Sequence, residues 1–437
     1  MVNAKFTIYK IDSFFSVDIC NLDNTPKSPV RRIVSSLIIS PVVIFRRKFR
    51  AGGMNGSIFS LVTAILGAGT ISLPYLSAQN GIVLATLLII FGAAISYFCG
   101  MLLVSCAEKV GSDKYEDFAD YCFGRKMVIF TGWCNCSTLL GFVVSYIVFV
   151  KTLIPRILEI FAGSMDKLPK ILADGKYEGQ LFWATLYTFL VLIPLSLPRK
   201  VGVLRFNSLF GVTCSFYLVL CLVFLFLVDR NQVPSMGDNF KKAEYFDVSY
   251  KGLVSAIPFV VFAFMYQPNI PIVYRELNNR SYDRMEKVII RGSGSVVVLY
   301  ILASVFGYLG LIGDPANLKI LIDKQNVLEV QYQNWAMKIA VLVLLFAIFA
   351  AAPMCVLPSK DTYEELVYSQ SGMNNKQNAL VTIGMCIICF ALAVAIPGIG
   401  DAITILGCTT NPIIGFILPI VFYLKIIDDA PMYKKII

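Results

Sequence analysis

Hydrophobic residues occur along most of this chain in long runs that short polar segments separate. A bilayer core of about 30 Å needs about 20 apolar residues per helix. Ten runs approach or exceed this length, and we call them spans 1 to 10: 54–77, 81–107, 126–150, 180–197, 202–228, 252–274, 288–313, 336–358, 378–397 and 401–425. The pattern predicts an all-α, polytopic membrane protein.

Composition supports this prediction and excludes several classes of function. Hydrophobic residues make up 57% of the 437 residues and charged residues 15%, whereas a soluble domain carries about 25% charged residues. The chain has no His, so His-dependent catalytic triads and proton relays are excluded. The 12 Cys follow the apolar runs, so we expect no disulfide framework, no metal site and no cofactor.

Lys and Arg are distributed unevenly between alternate connections. If the N-terminus is cytosolic, 26 of the 38 basic residues lie on the cytosolic side, as the positive-inside rule requires. We therefore expect a basic cytosolic tail over 1–53 and a short cytosolic C-terminus over 426–437. The net charge of +10 follows from this bias and does not indicate nucleic-acid binding. Membrane lipid is the expected neighbour, and anionic lipid is a second role for the tail.

Spans 1 and 6 contain residues that interrupt helices. Span 1 has Gly67, Gly69 and Pro74 within eight residues, and span 6 has Pro268 and Pro271 beside polar residues. Each Gly costs about 1 kcal/mol and each Pro about 3 kcal/mol inside a helix. Irregular backbone is tolerated at membrane depth only where protein or a water-filled cavity satisfies it.

The two interrupted spans occupy matching places. Span 1 begins a first set of five spans (54–228), and span 6 begins a second set (252–425). Interrupted helices at corresponding positions indicate an inverted-repeat transporter whose substrate binds at the breaks. Half-helix N-termini suit a carboxylate, and the opposing carbonyls suit an ammonium group. This arrangement fits a small zwitterion.

Five segments resemble the amino acid/auxin permease family. They are "ILGAGTISLPY" (65–75), "SDKYEDFADYCFG" (112–124), "LSLPRKVGVLRFNS" (195–208), "FAFMYQPNIPIVYREL" (262–277) and "GCTTNPIIGFILPIVFYLKI" (407–426). The Gln-Pro-Asn variant in span 6 is similar to protozoan members. The resemblance implies a LeuT-like bundle of two inverted five-helix repeats. It also implies secondary transport of amino acids by alternating access, and no enzymatic activity.

The resemblance also implies site residues. The break in span 1 is expected to bind the substrate α-carboxylate, and the break in span 6 its α-amino group and side chain. These residues are Leu66, Gly67, Ala68, Gly69 and Thr70 in span 1, and Phe262, Ala263, Phe264, Tyr266 and Gln267 in span 6. Asn135 in span 3 is a further candidate, and hydrogen bonding between helices is the alternative role for it.

Three departures from the family pattern concern coupling and length. Sodium-coupled members have Asn where this chain has Ser60 and Thr63, and a hydroxyl where it has Ala351, two residues before Pro353. Ser60 and Thr63 therefore form only a weak ion site, and the coupling ion, H⁺ or Na⁺, stays open. Proton-coupled members often have a membrane His, which this chain lacks. The chain also stops at Ile437, before the family's eleventh helix.

The substrate class and the rival functions follow from the acidic residues. No Asp or Glu falls in the middle of a predicted span, which favours a neutral amino acid over a cationic one. "GIGD" (398–401) and Tyr282-Asp283 match strings of intramembrane aspartyl proteases, but the two Asp are expected at opposite membrane faces. An amino-acid-sensing receptor on the same fold is the other alternative. The membrane is either the plasma membrane or a vacuolar or endolysosomal one.

Overall fold

The structure is a computed structural model that describes residues 52–162, 169, 172, 177–199, 205–332, 334–368 and 372–427. Nearly all of the predicted basic tail and of the C-terminal segment lies outside these residues. The described residues are mostly helical and contain no β-strand. An all-α membrane bundle is therefore confirmed.

Eight helices in the described part of the chain are long and apolar enough to cross a membrane. They are Ile82–Val110, Arg125–Glu159, Glu178–Ser196, Leu209–Leu227, Tyr282–Leu309, Trp335–Val367, Asn375–Ala395 and Ile399–Ile426. These helices correspond to predicted spans 2 to 5 and 7 to 10. Several continue beyond the apolar run, and that of span 8 reaches Val367. A transmembrane helix can continue through polar residues at its end because water there forms hydrogen bonds with their side chains.

Spans 1 and 6 are each divided into two shorter helices. Span 1 consists of 1a (Met54–Ile65) and 1b (Leu73–Asn80), joined by a 3₁₀ turn at Ala68–Ser72. Span 6 consists of 6a (Tyr250–Ala263) and 6b (Asn269–Glu276). The two parts of span 1 are bent by 52°. Both predicted interruptions are therefore found.

Short helices occupy three of the connections, and the hydrophobic pattern did not predict them. They are Tyr115–Phe123, Met236–Lys242 and Pro315–Lys324. Tyr115–Phe123 lies on the face of the bundle that the charge bias predicts to be cytosolic. Lys114, just before it, forms a salt bridge of 3.0 Å with Glu365 at the end of span 8. This helix therefore connects spans 2 and 3 to span 8.

Spans 3 and 8 pack along each other in the centre of the bundle. Phe149 of span 3 and Val356 of span 8 are both completely buried. Large apolar side chains such as Phe91, Leu190 and Leu380 point outward, as lipid contact requires. The helices are apolar on both sides, so small residues at the crossings set which faces meet. Gly407 of span 10, for example, lies against the backbone of Pro258.

Buried lysines cap the C-terminal ends of two spans. Lys151 Nζ donates to the Ala393 carbonyl at 2.8 Å and to the Ile396 carbonyl at 2.6 Å, where span 9 ends. Lys360 Nζ donates to the Ser196 carbonyl at 2.7 Å, where span 4 ends. The last carbonyls of a helix lack intrahelical partners and form the negative end of its dipole. A cation therefore satisfies them where water is scarce.

Candidate functional site

The break in span 1 begins where extended backbone replaces the helix. Leu66 has ψ 108°, and Gly67 has φ −154° and ψ −150°. Regular helix resumes at Leu73, with Pro74 in the first turn of 1b. Pro is favoured in a first turn because its missing N–H would have no helical partner there. Gly67 and Pro74 therefore determine where helix 1a ends and where helix 1b begins.

The break in span 6 is a turn over residues 264–268 that precedes 6b. Asn269 N donates to the Tyr266 carbonyl at 3.0 Å, and Ile270 N donates to the Gln267 carbonyl at 3.0 Å. Pro268 lies between these residues at the N-terminal end of 6b. A Pro has no N–H to continue the hydrogen bonds of 6a, so the chain turns before a new helix begins.

The two breaks lie against each other. An ideal Cβ built on Gly69 would lie 3.0 Å from Cα of Ala263, the last residue of 6a. Such an approach of backbone to backbone is open only to a residue without a side chain. The sequence predicted that the breaks would meet, and the structure confirms it.

Gln267 holds the break in span 6 to span 2. Its Oε1 accepts from Tyr266 N at 2.9 Å, and its Nε2 donates to Ser96 Oγ at 3.1 Å. Ser96 Oγ in turn donates to the Phe264 carbonyl at 3.1 Å. These bonds satisfy backbone groups that the turn removes from helical pairing. The Gln267 side chain is fully buried, with both amide atoms engaged inside the protein.

A hydroxyl group from span 7 connects the two breaks. Tyr300 Oη lies 2.8 Å from the Ile65 carbonyl oxygen at the end of 1a. The same atom lies 3.2 Å from the Ala263 carbonyl oxygen at the end of 6a. The ring packs edge-on against Phe264, with the centroids 5.4 Å apart. Tyr300 therefore reaches both interrupted helices from a third one.

A cavity of about 210 Å³ adjoins the break in span 1. Its lining comes from spans 1, 3, 5 and 8. It includes Thr63, Leu66 and Gly67, then Tyr146 and Phe149, then Gly211 and Ser215, and then Ala347, Ala351 and Cys355. Among the described residues, no lining side chain carries a charge. The cavity can therefore hold an uncharged side chain beside bare peptide groups.

Aromatic side chains cover the opposite side of the breaks. The rings of Tyr75 in 1b and Phe259 in 6a lie 5.2 Å apart. Gln325 Nε2 donates to Tyr75 Oη at 3.3 Å. The cavity, in contrast, is bounded by 1a and the first half of span 5, whose ends lie at the predicted cytosolic face. The aromatic pair and the cavity therefore lie on different sides of the breaks.

The predicted site residues have different surroundings. Leu66 and Gly67 line the cavity, Gly69 and Ala263 form the contact between the breaks, and Thr70 is buried in the 3₁₀ turn. Phe264 and Tyr266 are fully buried, and Phe262 packs edge-on against Phe142 at 5.5 Å. Ala68 belongs to the 3₁₀ turn. Thr63 reaches the cavity, whereas Ser60 is exposed on 1a.

Asn135 lies apart from the breaks. Its side chain is near Glu116, on the short helix before span 3, and lowers the pKa of that carboxyl group. Tyr146, which lines the cavity, is eleven residues further along the same helix, or about 16 Å along its axis. Asn135 therefore belongs to the predicted cytosolic end of span 3, and it does not line the cavity.

Several residues of the site carried no distinctive sequence signal. Ser215 and Ser96 lie in apolar runs, where a polar residue commonly serves packing. Tyr300 likewise lies in the run "VVVLYILAS". Their only sequence signal is a polar residue in the middle of a span. Whether such a residue belongs to the site depends on which helix packs against it.

The two Asp of the protease alternative lie at opposite ends of the bundle. Asp283 is in the first turn of span 7. Asp401 is in the first turn of span 10, where Gly400 lies against Gln325, beyond the far end of span 7. Span 7 has 28 residues and is therefore about 42 Å long. Two carboxylates so far apart cannot share one water.

Comparison with known proteins identifies the family. Residues 50–432 match the family described as "Transmembrane amino acid transporter protein". The chain belongs to this family. The transporter is also 24% identical, over 86% of its length, to the sodium-coupled neutral amino acid symporter 2 of Danio rerio, of which it covers 76%.

Solved structures show the same fold. The transporter resembles MhsT, solved in complex with L-phenylalanine, with a TM-score of 0.54 and 14% identity over 87% of this chain and 93% of that one. It resembles Mhp1 in its inward-facing conformation with a TM-score of 0.53 and 14% identity, over 86% of this chain and 77% of that one. The LeuT-like fold expected from the sequence is therefore confirmed, and the protein is a multi-pass membrane transporter of amino acids.

Proposed function

We propose that this transporter carries neutral amino acids across the membrane by alternating access, with the substrate held at the contact between the breaks of spans 1 and 6. The observation that carries the proposal is this contact, at Gly69 and Ala263, beside a cavity that Gly67 lines. Two unwound segments meeting inside a bundle offer free N–H and C=O groups to a zwitterion.

The backbone of span 1 is suited to the α-carboxylate. Gly67 is extended and begins a 3₁₀ turn, so N–H groups at the start of that turn lack helical partners. A Cβ at Gly67 would meet open space, which leaves its peptide group accessible. The α-ammonium group would bind other carbonyl groups of the breaks, because the carbonyl groups of Ile65 and Ala263 already accept from Tyr300.

The lining of the cavity suits a substrate whose side chain, besides its α-carboxylate and α-ammonium groups, is uncharged. Phe149, Ala347 and Ala351 offer apolar contacts, while Tyr146 and Ser215 offer hydroxyl groups. A cationic substrate would need a carboxylate or several carbonyls to offset its desolvation. The neutral amino acid named for the Danio rerio relative agrees with this choice.

We further propose that flux does not require sodium. The relative is named a sodium-coupled symporter, but sodium needs several hard oxygen ligands. In this transporter Ala351 and Thr63 line the same cavity, so span 8 offers a methyl group where the resemblance implies a hydroxyl. A proton then remains the coupling ion, or the carrier works as a uniporter.

Orientation and repeat organisation complete the proposal. Both termini are placed in the cytosol, on the charge bias of the connections. The first five spans (54–228) form one repeat and the second five (252–425) the other, related by inversion. In this orientation 1a and the first half of span 5, which line the cavity, lie toward the cytosol. The host membrane is the plasma membrane or a vacuolar or endolysosomal one.

The test is uptake into proteoliposomes that contain the purified protein. Radiolabelled amino acids would be screened under imposed pH and sodium gradients, with choline replacing sodium. We expect saturable uptake of neutral amino acids that is accelerated by substrate trapped inside and is equal in sodium and choline. Binding without flux would instead indicate a receptor, and strict sodium dependence would overturn the coupling proposal.

A further inference from the structure

We propose that the hydroxyl group of Tyr300 occupies the position of a coupling cation between the two half-helix ends. It lies 2.8 Å from the Ile65 carbonyl oxygen and 3.2 Å from the Ala263 carbonyl oxygen. Tyr300 is a positioning residue, because it acts on the substrate only through the two breaks. Its consequence for transport rests on the proposed function, whereas its consequence for cation binding does not.

The two carbonyl groups need a partner that can serve both. Each lies at the C-terminal end of a half-helix, where carbonyls have no intrahelical donor and the dipole is negative. At membrane depth an unpaired carbonyl is costly, and water is scarce. In carriers with broken helices, such ends coordinate sodium or a proton. Here an O–H group shared between the two oxygens meets the same need without a metal ion.

The rest of span 7 fixes the position of this hydroxyl. Tyr300 is fully buried. One turn further along, Ser304 Oγ donates to the Leu73 carbonyl in 1b at 2.8 Å. Two turns earlier, Gly292 lies against Leu61 of 1a. Span 7 therefore follows both halves of span 1, and Tyr300 meets it at the break.

A second hydroxyl acts in the same way on span 6. The Phe264 carbonyl, next along the chain from Ala263, accepts from Ser96 Oγ at 3.1 Å. The carbonyl groups at the end of 6a are thus satisfied by side chains of spans 2 and 7. Both observations favour neutral O–H donors over a cation at this point of the site.

The test compares Tyr300→Phe with a matched control, Tyr187→Phe. Tyr187 is also buried in a span, and its hydroxyl donates to one carbonyl, that of Phe349, at 3.3 Å. Thermal melting of the purified proteins would be measured in choline, potassium, sodium and lithium chloride. Uptake of a neutral amino acid into proteoliposomes would be measured in the same four salts.

We expect the melting temperature of wild type to be the same in all four salts, and likewise that of Tyr187→Phe. Tyr300→Phe should melt lower in choline and regain much of that loss in sodium or lithium, because removing one hydroxyl uncovers two carbonyl groups for a small cation. Its maximal uptake rate in choline should fall roughly tenfold, the factor that corresponds to 1.4 kcal/mol, and should rise when sodium replaces choline.

Three results would overturn the inference. One is a Tyr300→Phe protein that melts and transports as Tyr187→Phe does. Another is a Tyr300→Phe protein whose losses are the same in every salt, which would indicate a packing role only. The third needs no variant and therefore holds even if Tyr300→Phe cannot be purified: wild type stabilised by sodium or lithium over choline. If wild type takes up no amino acid but the melting pattern appears, the proposed function fails and this inference stands.

Discussion

Gly69 of span 1 and Ala263 of span 6 are in contact through their backbones. A Cβ on Gly69 would lie 3.0 Å from Cα of Ala263 and 3.1 Å from its Cβ. Each residue lies where its own span leaves the α-helical conformation, so the exposed peptide groups of two helices come to one place. The affinity for a substrate bound there would depend on the relative position of the two spans. Alternating access requires such a dependence.

Substitution of the two glycines at the break of span 1 should distinguish an effect on folding from an effect on transport. Gly69→Val would push against the backbone of 6a and should destabilise the fold by about 1–3 kcal/mol. Gly67→Val would enter open space at an extended φ, so the protein should melt near the wild-type temperature. Both variants should lose uptake, Gly67→Val with surface expression retained. Unchanged uptake by Gly67→Val would contradict the assigned site.

Narrowing the cavity from span 5 should slow transport without harming the fold. Gly211 lines the cavity, and a Cβ there would meet open space. Gly211→Leu should therefore reduce the maximal uptake rate several-fold, while the melting temperature changes little. Gly294→Leu is the matched control, because Gly294 is an exposed helical glycine of span 7 that also has room for a Cβ. Equal uptake by the two variants would argue against the cavity as the substrate path.

The bonds between Ser96 and Gln267 should act as one unit. Ser96→Ala removes the hydroxyl donor of the Phe264 carbonyl, which keeps only a 3.2 Å bond from Tyr266 N, and Gln267→Leu removes the 2.9 Å acceptor of that same N–H group. Each change should lower the free energy of unfolding by about 1–3 kcal/mol. The double variant should lose less than the sum, by about 0.5–3 kcal/mol, when measured by thermal or chemical denaturation. Strictly additive losses would show that the two side chains act independently.

Glu116 should make stability depend on pH. Burial raises the pKa of its carboxyl group above the usual range, and the nearby Glu365 adds to this, while Lys114 and the Asn135 amide oppose it. The folded protein therefore holds this proton more tightly than the unfolded chain does. Stability from this group is greatest below the ordinary pKa of Glu and is lost as the pH rises toward the higher folded value.

Glu116→Gln removes this penalty while keeping an oxygen for Asn135. The variant should therefore be more stable than wild type at neutral pH and equal to it near pH 4, within the ordinary range for Glu. Melting curves at the two pH values measure the difference. Asp120→Asn, on the exposed side of the same helix, should change little at either pH. A Glu116→Gln protein less stable than wild type at pH 7 would contradict the prediction.

The breaks could be predicted because Gly and Pro act on the residues next to them. Gly67 and Pro268 weaken or end a helix whatever its neighbours are. Their effect can therefore be predicted from the sequence alone. Asn135 shows the limit of that reasoning. A polar residue in a span signals a partner, and the side chain beside it here is that of Glu116, on a short helix that the hydrophobic pattern did not predict.

The sequence by itself determined where the spans lie and which two are interrupted, since hydrophobic length and helix propensity are local properties. Only the tertiary structure decided that Gly69 meets Ala263, that the Tyr300 hydroxyl lies between two carbonyl ends, and that Ala351 and Thr63 line the same cavity. The physical reason is that helices apolar on every side have no single preferred face. Close approach of small residues and the need to pair each buried peptide group then select the neighbours.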